Sequence, residues 1–451
     1  MKFYDRENEL ATLQKAIAQP RAAMIIISGR RRVGKSRLVD EFLTKNKDGL
    51  KAIIVPKQEK QVAADLAETL ADQFKPTFNT VKEAFEYFFA KSKERILYID
   101  EFPNFLEVNK SIPYELQRVW EDYKDKTNKI LILSGSYVSM MDKIFTRQKA
   151  PLFNRASFKI ILEPLKPKFV WEMQEEINVK NPVQKITNYC IFGGIPYYYI
   201  VLEDYRATSD VEKLFFDVGP LREEGQDVLR QEFGSKYKKY FSILEAIGSG
   251  LVSAGEIANK MGIRQTTLSK YLQSLQNDFK IIERKVPFDQ NPNRSKKGVY
   301  TIKDNLLSFW FTHVYGKTQP PTKKEINEFA SRRFETLCTE FMTDWLYKKK
   351  GERVIKEGQW WSSIEIEKGK FEQREIDLII ETKKTLYIGE CKWSENQTGE
   401  KELNHLKQSA KALKTKKPVK WVLFNKKGFT IKENEDTLLF NAEKITTSLI
   451  F

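Results

Sequence analysis

The strongest constraint on this chain is a single stretch near its start, Met24-Ile-Ile-Ile-Ser28 followed by Gly29-Arg30-Arg31-Arg32-Val33-Gly34-Lys35-Ser36-Arg37. The apolar run reads as a buried parallel strand, and Arg37 to Leu43 reads as an amphipathic helix. Between them stands a complete G-x-x-x-x-G-K-S in the strand–loop–helix setting that the motif needs. Such a loop turns its backbone amides toward phosphate, and the helix dipole adds to the attraction. Gly29 to Arg37 are therefore the expected ATP-binding residues. Lys35 is expected to reach the β- and γ-phosphates, and the Ser36 hydroxyl to ligate Mg²⁺.

Downstream segments fit the same reading. Ala52–Val55 is expected to be a strand, with helices over about 60–75 and 79–92. Arg95 to Asp100 forms an apolar strand ending in two carboxylates, Asp100 and Glu101. Asp100 suits the magnesium shell, and Glu101 at the strand tip suits polarising the attacking water. A further strand, Lys129 to Leu133, ends in Ser134-Gly135-Ser136, where either serine is placed to sense the γ-phosphate.

These pieces together resemble the archaeal-type, AAA-like prokaryotic ATPases related to the STAND signalling NTPases. The matching residues are Phe3-Tyr-Asp-Arg6-Glu7-Asn-Glu9-Leu10, the P-loop, Ile99-Asp100-Glu101, Ser134-Gly-Ser136, Pro151-Leu-Phe-Asn-Arg155 and Gly193-Gly194-Ile-Pro196-Tyr197. The resemblance implies that Arg155 is a phosphate sensor and that the Gly193-Gly194 element lies in a helical lid. From the residues alone, two glycines and a proline are only a helix break.

From Tyr240 the pattern is that of a winged helix. A first helix begins at Phe241. Ser253 and Glu256 have capping-box spacing at the start of a second helix. Gln265 to Leu275 occupies the place of a recognition helix. Two short strands, Ile281–Val286 and Val299–Ile302, flank a basic loop. Arg264, Gln265, Thr267, Lys270, Arg294, Lys296 and Lys297 are the residues offered to DNA.

In the last part, Asp377 sits near the start of a strand, Glu375 to Ile380. Glu390 and Lys392 end another, and their i, i+2 spacing puts them on one face. A hairpin brings Asp377 beside them. Two carboxylates and a backbone carbonyl suit Mg²⁺, and Lys392 suits orienting water for attack on a phosphodiester. The set resembles the PD-(D/E)xK nuclease superfamily, with Ile376 where a proline is usual. That resemblance implies that Glu335 is the helix carboxylate of the metal site.

Charge agrees with a polyanionic partner. The net charge is +16 over 451 residues. Residues 251–350 hold 18 basic against 10 acidic side chains and residues 401–451 hold 11 against 5, while residues 351–400 hold 8 against 11. Basic surfaces attract nucleic acid by counterion release. Two histidines and three scattered cysteines, Cys190, Cys338 and Cys391, leave no ligand set for a zinc site or a disulfide framework. No apolar run reaches membrane-spanning length, and the opening MKFYDRENEL lacks a signal-peptide core, so a cytoplasmic protein without a membrane partner is expected.

The expected architecture is an α/β multidomain chain. It comprises a P-loop parallel-sheet ATPase core (1–165), a helical lid (166–235), a winged helix (236–312) and a C-terminal α/β restriction-endonuclease-like domain (325–451). The expected activity is ATP hydrolysis coupled to DNA binding, with metal-dependent DNA cleavage by the last domain. The alternative is a STAND-like regulatory ATPase switch whose nuclease-like domain is a non-catalytic docking module. Homo-oligomerisation and any arginine finger are left open.

Overall fold

Three runs, Met24–Ile27, Ile96–Ile99 and Ile130–Leu133, are almost wholly hidden from solvent. Burial on both faces is what a parallel strand between two helical layers demands. The computed structural model describes residues 2–73, 75–205, 210–216, 218–367 and 369–448. Residues 206–209 and 217 of the expected lid lie outside the described residues. The chain divides into two units, residues 3–165 and residues 166–451 with the first two residues.

The first unit is built on a five-stranded sheet, β1 (Ala23–Gly29), β2 (Gly49–Ile53), β3 (Ile96–Asp100), β4 (Ile130–Gly135) and β5 (Phe158–Leu162). Their order is β2-β3-β4-β1-β5, and every pairing is parallel. This is the parallel-sheet P-loop ATPase-like core. The chain order reverses beside β1, so the loop after β1 opens at the carboxyl edge where ligands of such sheets bind. One face is closed by an aromatic-rich core that includes Phe85, Phe88, Phe89, Phe102, Phe105 and Trp120.

The second unit begins with helices, among them Pro182–Phe192 and Pro196–Asp204. The first stops where Gly193 takes φ 61°, and Pro196 starts the next at its first turn. Helices Tyr237–Gly248, Ala254–Met261 and Gln265–Asn277 then lead to an antiparallel pair, β6 (Ile282–Lys285) and β7 (Val299–Ile302). Ser253 and Glu256 close a reciprocal capping box: Ser253 Oγ accepts from Glu256 N at 3.2 Å, and Glu256 Oε2 accepts from Ser253 N at 2.9 Å. Ser253→Ala is expected to cost about 1 kcal/mol, read as a lower denaturation midpoint. An unchanged midpoint would show that the cap is redundant with packing.

A long helix, Lys323–Trp345, precedes a separate five-stranded mixed sheet. Its strands are β8 (Val354–Glu367), β9 (Lys370–Thr382), β10 (Leu386–Lys392), β11 (Val419–Asn425) and β12 (Thr437–Asn441). The order is β12-β11-β10-β9-β8, antiparallel from β8 to β10 and parallel from β10 to β12. Ile376, Ile379, Ile388, Leu406 and Leu423 form its core beneath helix Glu400–Ala410. The loop after β6 is tied to this sheet. Phe288 N donates to Gln359 O at 2.8 Å, and Lys297 Nζ donates to Ser362 Oγ at 3.3 Å. Among the described residues no helix is long and apolar enough to cross a membrane.

Candidate functional sites

The first site is the turn after β1. Gly29 has no room for a side chain, since a Cβ there would stand 2.6 Å from Leu162 O. Gly34 has φ 99° and caps helix Lys35–Lys45, and Arg32 is also left-handed at φ 67°. Val33 is buried and Arg37 is exposed. Lys35, only 5% exposed, folds back so that Nζ donates to Gly29 O and Arg30 O, each at 3.0 Å. Arg6 braces the loop from the opening segment by donating to Val33 O at 3.5 Å and Glu163 O at 2.8 Å.

The ends of β3 and β4 meet the start of that helix. Ser36 Oγ donates to Asp100 Oδ2 at 2.6 Å, and Ser134 Oγ donates to Asp100 Oδ1 at 2.5 Å. Tyr98 Oη lies 2.9 Å from Ser134 Oγ. Burial alone would lift the Asp100 pKa, but hydrogen bonds from Ser134, Ser36 and Tyr98, with Lys35 nearby, hold it below the ordinary aspartate value. Asp100 is thus an ionised carboxylate beside a hydroxyl, a pair of hard oxygen donors that fits Mg²⁺. Glu101 follows in the left-handed region at φ 55°, and both its oxygens are engaged: Oε1 by Ser136 Oγ at 2.5 Å and Oε2 by Ser136 N at 3.1 Å.

Arg155 does not join this group. Ser157 N donates to Met24 O, so residues just before β5 stand at the amino edge of the sheet, opposite the P-loop. There Arg155 Nε donates to Glu121 at 3.0 Å and its NH1 to Phe153 O at 2.7 Å. The structure does not bring the expected phosphate sensor to the P-loop. The chain returns to the bottom of the sheet before β5 rises, and Arg155 is spent there.

The second site lies in the mixed sheet. The β9–β10 register runs from Leu386 opposite Glu381 to Gly389 opposite Leu378, which brings Asp377 alongside Glu390 and Cys391. Cys391 N donates to Asp377 Oδ2 at 2.9 Å. Lys392 pairs with Glu390 on the same face. Asp377 and Glu390 are 9% and 7% exposed. Helix Lys323–Trp345 brings Glu335 to the group, where Gln359 Nε2 donates to Glu335 Oε2 at 2.7 Å. Sequence reading missed Gln359, which lies 24 residues from Glu335 on β8 and carries no motif.

Electrostatics mark this cluster as crowded. Burial, then the charges of Glu390 and Glu335, push the Asp377 pKa well above its usual value. Burial also lifts Glu335 to about 7, against the Gln359 hydrogen bond and Lys285 and with Glu375 and Glu390. For Lys392 desolvation favours the neutral form, but Glu390 and Asp377 outweigh it and raise the pKa. Two buried carboxylates, Asp377 and Glu390, thus stand beside Lys392, with Glu335 near enough for its charge to be felt, and a hard cation would offset their repulsion. Among the described residues no group of three or more His, Cys, Asp or Glu side chains is placed to hold a metal ion. Backbone carbonyls and water would have to complete the shell.

The sign of the stability effect follows. A carboxyl whose folded pKa exceeds its unfolded one binds more protons when folded, so stability falls as pH rises between the two values. For Glu335 that window runs from about 4.5 to about 7. The unfolding midpoint of the second unit is expected to fall from pH 5 to pH 8. Mn²⁺ should recover more of it at pH 8 than at pH 6, and Glu335→Gln should flatten the slope. A slope unchanged by Glu335→Gln would place the strain elsewhere.

Comparison with known proteins agrees with the fold. Residues 3–202 match a family described as an ATPase domain predominantly from Archaea, and residues 312–405 match archaeal and bacterial proteins of unknown function. The uncharacterized protein MJECL04 of Methanocaldococcus jannaschii is 30% identical over 473 aligned positions, covering 98% of this chain and 99% of that protein. Among solved structures, the Walker-type ATPase paby2304 of Pyrococcus abyssi is similar in fold, with TM-score 0.50, 20% identity, and coverage of 68% of this chain and 96% of that one. The Aeropyrum pernix ORC2 protein, in ADPNP–ADP complexes, has TM-score 0.46 and 14% identity, with coverage of 73% and 94%.

Proposed function

This chain belongs to the same family as the Methanocaldococcus jannaschii protein and carries, over residues 3–202, an ATPase domain of the type found predominantly in Archaea, and from that premise we propose that its ATP cycle governs DNA binding and metal-dependent DNA cleavage. The ATPase assignment rests on the family. In our reading, the amides of Gly29 to Ser36 cradle the phosphates, with Arg30, Arg31, Arg32, Val33 and Arg37 shaping the loop. Lys35 leaves its carbonyl partners for the β- and γ-phosphates. Ser36 and Asp100 would hold Mg²⁺, which would supply charge neutralisation on the phosphate oxygens. Glu101 holds the attacking water, and Ser136, now bound to Glu101, reports the γ-phosphate.

The observation that carries the second half is the meeting of Glu335, Asp377, Glu390 and Lys392 from one helix and two strands. We read residues 325–451 as a nuclease-like domain in which Asp377, Glu390 and Glu335 hold Mg²⁺, which would supply Lewis acidity at a phosphodiester. Lys392, charged at neutral pH, orients the water. Residues 236–312 are read as a winged helix whose helix Gln265–Asn277 presents exposed Gln265, Thr267 and Lys270 to DNA, with Arg264, Arg294, Lys296 and Lys297 beside them. The residue boundaries 1–165, 166–235, 236–312 and 325–451 are part of the proposal.

The test is incubation of the full chain with single- and double-stranded DNA and Mg²⁺ or Mn²⁺. Cleavage lost in Asp377→Ala with ATP turnover retained is the expected result. A protein that turns over ATP but cuts no DNA form with either metal refutes the nuclease half. The pinning of the loop after β6 to β8 favours a second reading, a nucleotide-governed switch in which the mixed sheet is a docking module. That reading requires Lys35→Ala to change DNA or partner affinity.

A further inference from the structure

Between the β6 loop, helix Lys323–Trp345 and β8 lies a cavity of about 310 Å³. We propose that this cavity seats one unpaired base of a nucleic-acid strand beside the carboxylate cluster, so that the strand acted on is single-stranded or locally opened. The proposal rests on the nuclease reading for its purpose but not for its binding chemistry.

The lining suits a base better than a bare phosphate. Arg284, Lys285 and Lys356 are matched in number by Glu283, Glu335 and Glu357, so the cavity carries little net charge even with Glu335 partly protonated. Arg284 is committed to its own loop, donating to Pro292 O and Ser295 O at 2.7 Å each. A free phosphate gains little in such a space. A neutral base gains a π-surface and hydrogen-bonding groups for its edge. Phe288 supplies the ring, which already takes a cation on its face, Lys356 Nζ lying 4.3 Å from the centroid. Gln359 and Lys285 supply polar atoms, 3.4 Å apart.

Position supplies the second argument. Gln359 lines the cavity and also donates to Glu335, the helix member of the carboxylate cluster. A base held here lies against Glu335, whose charge is felt by Asp377 and Glu390. The flanking phosphates need cations outside the cavity, and the same loop carries exposed Arg294, Lys296 and Lys297. The volume is at the small end for ligand pockets and accommodates one base rather than a stacked pair.

The test is fluorescence anisotropy of the full chain with labelled dT12 and with a blunt 12-base-pair duplex, in EDTA and with ADP saturating the P-loop. Phe288→Ala removes the stacking ring. Thr336→Trp fills the cavity from the helix without removing any contact. Each is expected to weaken dT12 binding roughly tenfold and to leave duplex binding and ATP turnover unchanged. Equal losses for both DNA forms, or no loss with Thr336→Trp in a folded protein, overturn the proposal. So does thymidine monophosphate competing as well as dT12, which would mark a small-nucleotide site. If the dT12 losses appear but no DNA is cut with Mg²⁺ or Mn²⁺, the base site stands and the cleavage reading falls. If both variants cut single strands at the wild-type rate, the base site falls and cleavage stands.

Discussion

Glu101→Gln is expected to lower ATP turnover by roughly 10²–10⁴-fold, the usual contribution of a positioned general base, while ATP affinity changes little. The side chain stands at the tip of β3 on a left-handed backbone and is held through both oxygens by Ser136. Glutamine keeps the size and one acceptor, so the local fold survives. What it loses is the capacity to draw a proton from water. Asp100→Asn should behave differently. Its two serine hydrogen bonds and lowered pKa suit the proposed role of holding the cation, and in that role Mg²⁺-dependent nucleotide binding should weaken along with turnover. Measured kcat and nucleotide Kd for the two variants separate the roles. Equal turnover in Glu101→Gln and wild type would remove Glu101 from the chemistry.

If the proposed nuclease reading holds, Asp377→Ala is expected to reduce DNA cleavage about a hundredfold or more, beyond what loss of an outer-shell partner costs, with ATP turnover within about twofold of wild type. Stability should move the other way in Asp377→Asn. The native carboxyl is raised well above its ordinary pKa by burial, Glu390 and Glu335, so carrying it costs the fold stability as pH rises above the ordinary aspartate range. Asparagine relieves that charge and still offers an oxygen to Cys391 N. The unfolding midpoint at pH 8 should rise by roughly 2–4 °C per kcal/mol of strain relieved. A carboxylate that weakens its own fold is what the proposed cleavage role would lead one to expect, as a stability–activity trade. An Asp377→Asn midpoint below wild type at pH 8 would instead make Asp377 a structural hydrogen-bond acceptor.

Local signals were legible in the sequence and long-range ones were not. The P-loop could be read because two of its glycines answer demands of that loop itself, a close carbonyl at Gly29 and a left-handed turn at Gly34. Asp377, Glu390 and Lys392 could be read because the period of two and a short hairpin place them together. The capping box at Ser253 is likewise a three-residue pattern. Strand β2 shows the limit of hydrophobicity as a guide. It spans Gly49–Ile53 because it pairs with β3, not Ala52–Val55, and Ile53 and Val55 remain 60% and 52% exposed. The placement of Arg155 away from the P-loop could not be read, since residue spacing does not say at which edge of a parallel sheet a loop arrives. The Tyr98–Ser134 and Gln359–Glu335 contacts join distant segments of ordinary composition, and nothing near either partner announces the other.

Gln359 gives the tie between the β6 loop and β8 a further consequence. Its carbonyl receives Phe288 N, its side-chain oxygen receives Lys285, and its amide nitrogen serves Glu335. One residue therefore reads the seat of the loop and sets the surroundings of an acid that titrates near neutrality. The carboxyl of Glu335 is in effect a gauge: its protonation, followed by an isotope-edited vibrational band, reports whether the loop is seated or lifted.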